Sequence, residues 1–321
     1  VNDAMASSGA YIPVRPSRTF GIPVRGVDYL VRQWGDDSSP PLLLLHGGRD
    51  NSATFQFLVD AFHHDYRIVA PDWRGHGGSG WTPGSYWLAD FLLDLDVLVH
   101  ECLADTPFPL LGHSMGGNIA ALYSATRPER VTKVIMLDAL GNTLERSPVR
   151  IADELSELLV RLSSPARFRT YRDIGAMADR LIEQNPRLDA TRALFLAREA
   201  ARSIDAGGYR WPHDPMFRAS EPTIHTVAEW GQCWSRIEAP VLALLSSDPR
   251  PHAATGDDLQ VHERLGYFRK LEIGRMGETS HNLHHDRPRP AARIIEAFLH
   301  DDGGFRSLLD TECTGLRPDN R

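Results

Sequence analysis

Six runs of consecutive apolar residues punctuate the chain, each bounded by turn signals: PPLLLLHGG (40–48), YRIVAPDWRG (66–75), PFPLLGHS (107–114), VTKVIMLDAL (131–140), APVLALLSSD (239–248) and YFRKLEIG (267–274). Runs without polar alternation suit strands covered on both faces, as in a parallel sheet. Between several of them the apolar period lengthens to that of a helix, in YWLADFLLDLDVLVHECLA (86–104), GNIAALYSATRP (117–128) and RPAARIIEAFLHD (289–301). Alternating strand and helix predicts an α/β architecture. RTFGIPV and VDYLVRQWG alternate apolar with polar positions and predict a leading antiparallel hairpin.

The alternation breaks between about Gly141 and Arg236, where helical stretches follow one another without a clear strand, and it resumes at Pro240. The pattern therefore divides the chain into a core in two parts, 1–140 and 237–300, an inserted helical domain at 141–236, and a C-terminal tail at 301–321 without a sustained period, read as an appendage. No internal repeat or low-complexity run is present.

Composition narrows the partners. The chain has 321 residues, 42% hydrophobic and 24% charged, with a net charge of −7, which describes an ordinary globular protein. No basic run is long enough to track a phosphate backbone, so nucleic acid is not an expected partner. Cys102, Cys233 and Cys313 are odd in number and widely spaced, which fits a reducing compartment better than a disulfide framework. With no signal-like N-terminal segment and no apolar run of membrane-spanning length, a cytoplasmic location without a membrane partner is expected. A monomer or homodimer acting on a small molecule is the remaining picture.

The chemistry concentrates around GHSMGG (112–117). A reactive serine needs an exposed hydroxyl, a base within hydrogen-bond reach and N–H donors for the oxyanion it creates. In a G-x-S-x-G turn between strand and helix, Gly112 and Gly116 remove side chains that would clash as the chain reverses, leaving Ser114 exposed and the N–H of Met115 at the helix N-terminus. Gly48, in the HGG that ends the 40–48 run, is the candidate second donor. His281 is the candidate base, because it lies in a loop between the last strand and the last helix. Two aspartates could orient it. Asp248 stands at the end of its strand in a polar turn and is preferred; Asp138, within VIMLDAL, is the alternative and otherwise a structural acid beside the pocket. His281 could instead pair with His284 or His285 on a metal, but no third ligand is near in sequence, and no metal is expected.

PDWRGHGGSG (71–80) lacks the Lys-Ser or Lys-Thr of a phosphate-binding loop, so Asp72 and Arg74 are read as a structural ion pair or hydrogen-bond network. Within the insertion, Trp211, Trp230, Trp234, Tyr209 and Phe217 could line an apolar pocket or pack the insertion onto the core.

Taken together, HGG (46–48), PDWRGHGGSG (71–80), GHSMGG (112–117), SSDP (246–249) and SHNLHHDRP (280–288) resemble the α/β-hydrolase superfamily, in order over residues 18–300. The cap segments LIEQNPRL (181–188) and DAGGYRWPHDP (205–215) are similar to those of capped serine esterases and serine hydrolase-like proteins. The resemblance implies the α/β-hydrolase fold, a mostly parallel central sheet with flanking helices and a helical cap formed by the insertion. It also implies Ser114 as nucleophile, His281 as base, Asp248 as acid, and Gly48 with Met115 as oxyanion hole. Ser280 stands where many relatives have glycine. Serine rather than aspartate at the elbow disfavours dehalogenase and epoxide hydrolase chemistry.

The expected function is hydrolysis of a small to medium, largely apolar carboxylic ester, with a lactone or amide possible, through an acyl-enzyme and without metal or organic cofactor. The alternatives are C–C bond hydrolysis or perhydrolase chemistry on the same triad, and a non-catalytic ligand-binding protein on the same fold.

Overall fold

The computed structural model describes residues 9–83, 86–141, 151–163, 168–218, 226–248 and 263–314. Its strands are β1 (Ser17–Val24), β2 (Val27–Trp34), β3 (Pro41–Leu45), β4 (Arg67–Pro71), β5 (Phe108–His113), β6 (Val131–Leu137), β7 (Thr170–Tyr171), β8 (Arg202–Ser203), β9 (Tyr209–Arg210), β10 (Val241–Ser246), β11 (Leu271–Met276) and β12 (Cys313–Thr314). The helices are α1 (Gln56–Val59), α2 (Leu88–Leu103), α3 (Met115–Thr126), α4 (Ile151–Ser163), α5 (Ile174–Gln184), α6 (Ala190–Ala200), α7 (Val227–Trp234), α8 (Leu283–Asp286), α9 (Pro288–Leu299) and α10 (Phe305–Glu312).

Nine strands form one sheet in the order β1-β2-β4-β3-β5-β6-β10-β11-β12. From β4 to β11 every pairing is parallel, and the antiparallel partners are confined to the two ends. The apolar runs are continuous because both faces are covered. Leu43, Leu45, Leu110, Val134, Met136, Ala243 and Leu245 point to the side packed by α2, α3 and α7. Their neighbours Leu42, Leu44, Leu111, Ile135, Leu137, Leu242 and Leu244 point to the side packed by α1, α9 and α10.

Two elements differ from the sequence pattern. β11 begins at Leu271 because Tyr267 and Phe268 turn aside to pack against Trp234. The tail joins the core: α10 buries Phe305 and Leu309, and β12 pairs antiparallel with β11. A helix of eight residues is too short to show a period in sequence.

Between β6 and β10, α5 and α6 are capped by Asp173 and Asp189, which accept from the N–H of Ala176 and Arg192. Their apolar faces, with Tyr171 and Leu188, close over Ala53 and Phe57 of the core. This segment also carries the small antiparallel sheet β7-β9-β8, strands of two residues each that leave almost no trace in the sequence. Among the described residues no helix is long and apolar enough to cross a membrane.

Candidate active site

Parallel strands bring their C-terminal ends to one edge of the sheet. There β3 delivers His46-Gly47-Gly48, β5 delivers Ser114, β6 delivers Asp138, and the loop after β11 delivers His281.

Ser114 takes φ 52° and ψ −119°, a conformation that costs free energy for a residue with a side chain. The surrounding packing enforces it. A Cβ at Gly116 would collide with the carbonyl oxygens of Leu45 and His46, and one at Gly112 with the backbone of Gly116 and Gly117. Glycine at both positions therefore lets α3 start hard against β3 and β5, with Ser114 at the turn.

His281 Nε2 lies 2.9 Å from Ser114 Oγ, and His281 Nδ1 lies 2.6 Å from Asp138 Oδ2. The acid beside His281 is thus Asp138, and Asp248 is not in this constellation. β6 stops at Leu137, so Asp138 is the first residue past the strand rather than a member of it, and its φ of 47° turns the carboxylate across the sheet edge. β10 stops at Ser246, and Asp248, two residues further on, meets Arg187 at 3.3 Å. Asp138 is buried, at 1% exposure, and receives the Ser246 N–H on Oδ1 at 2.8 Å and the Ser246 hydroxyl on Oδ2 at 3.1 Å. Those donors and the imidazole N–H replace the water that burial removes from this carboxylate.

The loop that carries His281 is pinned on both sides. His113 Nε2–H donates to the His281 carbonyl at 2.8 Å. Ser280, through both its N–H and its hydroxyl, donates to Asp286 Oδ2 at 2.6 Å, and Asp286 in turn accepts from Asn185 at 2.6 Å. Ser280 is thus a loop clamp, and through Asp286 and Asn185 it ties the loop to the end of α5.

Gly47 and Gly48 lie against the elbow: a Cβ on Gly47 would stand 3.2 Å from Ser114 Cβ, and one on Gly48 3.9 Å from Met115 Sδ. Among the described residues neither the Gly48 nor the Met115 N–H has an acceptor. Two unused donors thus flank Ser114, and the Met115 N–H opens α3 where the helix dipole favours negative charge.

Phe217 forms the apolar wall nearest to these donors, with a Gly48 Cβ only 3.2 Å from its ring. Asp214 holds it there. Its N–H donates to Gly75 O at 2.8 Å, its carboxylate accepts from Tyr86 Oη at 2.5 Å, and its carbonyl accepts the Phe217 N–H at 3.0 Å. The other aromatic residues of the insertion are packing. Trp230 and Trp234 stack on each other, Trp234 stacks on Phe268, and Trp211 meets Tyr171 edge-on.

Asp72 and Arg74 do not pair with each other. Asp72 accepts the N–H groups of Ser52 and Gly78, while Arg74 reaches Asp94 with Nε at 2.5 Å and with a terminal nitrogen at 2.7 Å. Both shape the loop beneath the site.

The site rests on a layer of buried histidines, His46, His76, His113, His284 and His285, of which the sequence pattern singled out only His284 and His285, as metal partners for His281. Burial pulls His46 and His285 down to about 4 and His76 to about 3, and holds His113 and His284 well below the usual imidazole value. Burial also pushes the Asp50 carboxyl up to about 6. His113 is readable as the variable position inside the elbow motif; Asp50 and His284 carry no sequence signal of their proximity.

A family model described as the alpha/beta hydrolase fold matches residues 40–172. A serine hydrolase-like protein of Danio rerio is 31% identical over 307 residues, 89% of each chain. The chain belongs to the α/β-hydrolase fold family. An esterase of Mycobacterium tuberculosis is 23% identical over 83% of this α/β-hydrolase chain and 85% of its own. Among solved structures, the thioesterase domain from the curacin biosynthetic pathway superposes with a TM-score of 0.77 at 25% identity, over 88% of this chain and 99% of that one.

Proposed function

We propose that this chain is a serine hydrolase that cleaves a small to medium, largely apolar carboxylic ester through an acyl-enzyme on Ser114. The observation that carries the reading is the unbroken line from Ser114 Oγ to His281 Nε2 at 2.9 Å and from His281 Nδ1 to Asp138 Oδ2 at 2.6 Å. The esterase and serine hydrolase-like relatives support it.

In this mechanism His281 Nδ1–H donates a hydrogen bond to Asp138, which leaves the Nε2 lone pair facing Ser114. His281 takes the hydroxyl proton as Ser114 Oγ attacks the ester carbonyl carbon. The carbonyl π electrons move to oxygen, and that oxyanion is met by the N–H groups of Gly48 and Met115. The tetrahedral intermediate collapses, the C–O bond to the alcohol breaks, and His281 returns the proton to the leaving oxygen. Water, deprotonated by the same nitrogen, repeats the attack on the acyl-enzyme and releases the acid. The bond from the acyl carbon to Ser114 Oγ breaks in that release, and His281 returns the proton to Ser114, which restores the neutral imidazole.

Substrate class follows from the walls. Phe217, with Met115 and Met216 partly buried beside it, offers apolar surface next to the oxyanion donors. In this reading the segment 141–236 is a cap, with α5 and α6 resting on Phe57 and the Pro215–Arg218 turn brought to the site by Asp214.

The test is reaction with a fluorophosphonate followed by intact mass, together with hydrolysis of p-nitrophenyl esters of increasing acyl length. One adduct per chain that is absent in Ser114→Ala, with turnover lost in the same variant, is the expected result. A folded wild type without adduct or turnover overturns the proposal.

A further inference from the structure

Beneath the triad, Asp50, His113 and His284 each turn one ligand-type atom to a common point, all within 4.8 Å of one another. Two of these side chains are incomplete. Nδ1 of His113 and Nδ1 of His284 are buried and have no hydrogen-bond partner, although both rings are almost fully enclosed. A buried polar nitrogen without a partner costs free energy, and one ion bound by this cluster would give both nitrogens a partner.

The remaining atoms of the three residues are already committed in the way metal ligands require. His113 donates Nε2–H to the His281 carbonyl at 2.8 Å, which fixes the tautomer with a lone pair on Nδ1. The His284 Nε2 meets the Thr54 hydroxyl at 3.2 Å, a group shared with His285 Nε2 at 2.7 Å. Asp50 Oδ1 accepts the Asn51 N–H at 2.9 Å, and the Thr54 hydroxyl also lies beside its carboxylate as a donor. Gly47 packs against the same ring, where a Cβ would stand 2.9 Å from that Nδ1 and crowd it.

We propose that Asp50, His113 and His284 form a binding site for a borderline-soft divalent metal ion such as Zn²⁺, and that its occupancy stalls the triad. Two imidazole nitrogens and one carboxylate oxygen form a three-residue donor set suited to tetrahedral zinc, with the fourth position left to water. Ligands at about 2.1 Å from a tetrahedral ion stand about 3.4 Å apart, so the half-buried Asp50 closes the remaining gap by side-chain rotation. The His113 ring lies 4.8 Å from the His281 ring. A dication bound to the ring next to His281 opposes the positive charge His281 acquires when it takes the serine proton, and the metal also draws on the residue that holds the His281 backbone in place. Stalling rests on the hydrolase reading above; metal binding does not.

Chelator-treated protein is titrated with Co²⁺, read by its visible d–d absorption, and with Zn²⁺, read by calorimetry. Expected is one ion per chain with the intense absorption of a low-coordinate site. Asp50→Asn and His284→Gln should each weaken affinity by roughly tenfold or more, while Ser114→Ala leaves it unchanged. Near-UV circular dichroism checks that each variant is folded, and the half-buried Asp50→Asn serves if His284→Gln is not. Absence of a one-to-one complex, or affinity unaffected in folded Asp50→Asn and lost in His281→Ala, overturns the site. The rate of Ser114 labelling by fluorophosphonate, with and without Zn²⁺, reads the second half. Slowing that a chelator reverses, and that needs roughly tenfold more zinc in Asp50→Asn, is expected. Binding without slowing overturns the stalling, and a metal complex on a protein that never labels overturns the hydrolase reading while the site stands.

Discussion

Asp138 and His281 meet at 2.6 Å although 143 residues separate them, and the same carboxylate is held from behind by Ser246 on the next strand of the sheet. The acid is therefore fixed by three strand ends at once, and the imidazole it orients has one accessible tautomer. Asp138→Asn replaces an acceptor with an amide that can present a donor to Nδ1, which favours the wrong tautomer. Acylation by p-nitrophenyl acetate should fall by about 10⁴-fold, with little change in folding. Asp248→Asn weakens a partly exposed ion pair with Arg187, and should change the rate by less than about tenfold. Stopped-flow acylation of the two variants checks the ranking, and the reverse order would remove Asp138 from the mechanism.

The elbow was legible in sequence because its pattern is local: Gly112 and Gly116 are within two residues of Ser114, and the clash Gly112 avoids lies in the same turn, although the one Gly116 avoids is with Leu45 and His46 of the neighbouring strand. The acid was not legible, because the choice depends on where two strands stop. β6 ends at Leu137, three residues before the end of its apolar run, which frees Asp138, whereas β10 ends two residues before Asp248 and lets it swing to Arg187. Parallel pairing at the core could be read from unbroken apolar runs. The placement of Trp230 and Trp234 could not, since an aromatic residue that packs on α3 and one that lines a pocket look the same without a partner surface.

Phe217 is the wall residue whose position depends on the Asp214 clamp. Phe217→Ala should lower kcat/KM for short apolar esters by about tenfold and shift the preference toward bulkier substrates, with most of the change in KM. Steady-state kinetics over an acyl and alcohol series reads this. An unchanged preference would place the substrate on another wall.

Acid should unfold this protein earlier than its carboxylates alone dictate. His46 is fully buried, accepts the Trp73 N–H on Nε2 at 2.9 Å, and has its pKa lowered by burial to about 4, against 6.5 when free. The unfolded chain takes up that proton between pH 6.5 and 4 while the native state does not, so the contribution is complete above 6.5 and is lost as pH falls toward 4. For His46 alone the loss is about 3 kcal/mol. His76, lowered to about 3 by burial and by His46 beside it, acts in the same direction. The Glu296 carboxylate, held below its ordinary value by the His63 and His64 N–H groups despite burial, adds its own loss only under more acidic conditions. Urea denaturation at pH 7.5, 6 and 5 (conditions on the order of the histidine range) should give falling midpoints, and a midpoint constant across that range would contradict the neutral buried imidazoles.

Arg74 tests how the loop below the site is held. Its guanidinium is enclosed and grips Asp94 through two nitrogens, and Asp94, with no exposed side-chain surface, also receives Tyr29 Oη and, at 3.0 Å, Arg25. Replacing Arg74 by Met fills the volume but leaves a buried carboxylate with only part of its compensation. Breaking one side of a buried pair in this way costs about 3–5 kcal/mol, so Arg74→Met should lower the urea midpoint strongly. Replacing both partners, Arg74→Met with Asp94→Leu, removes the uncompensated charge as well as the pair and should recover a large part of that loss, at the expense of the Tyr29 hydrogen bond. A double variant as unstable as the single one would mean that the loop depends on the Asp94 hydrogen bonds themselves and not on charge balance.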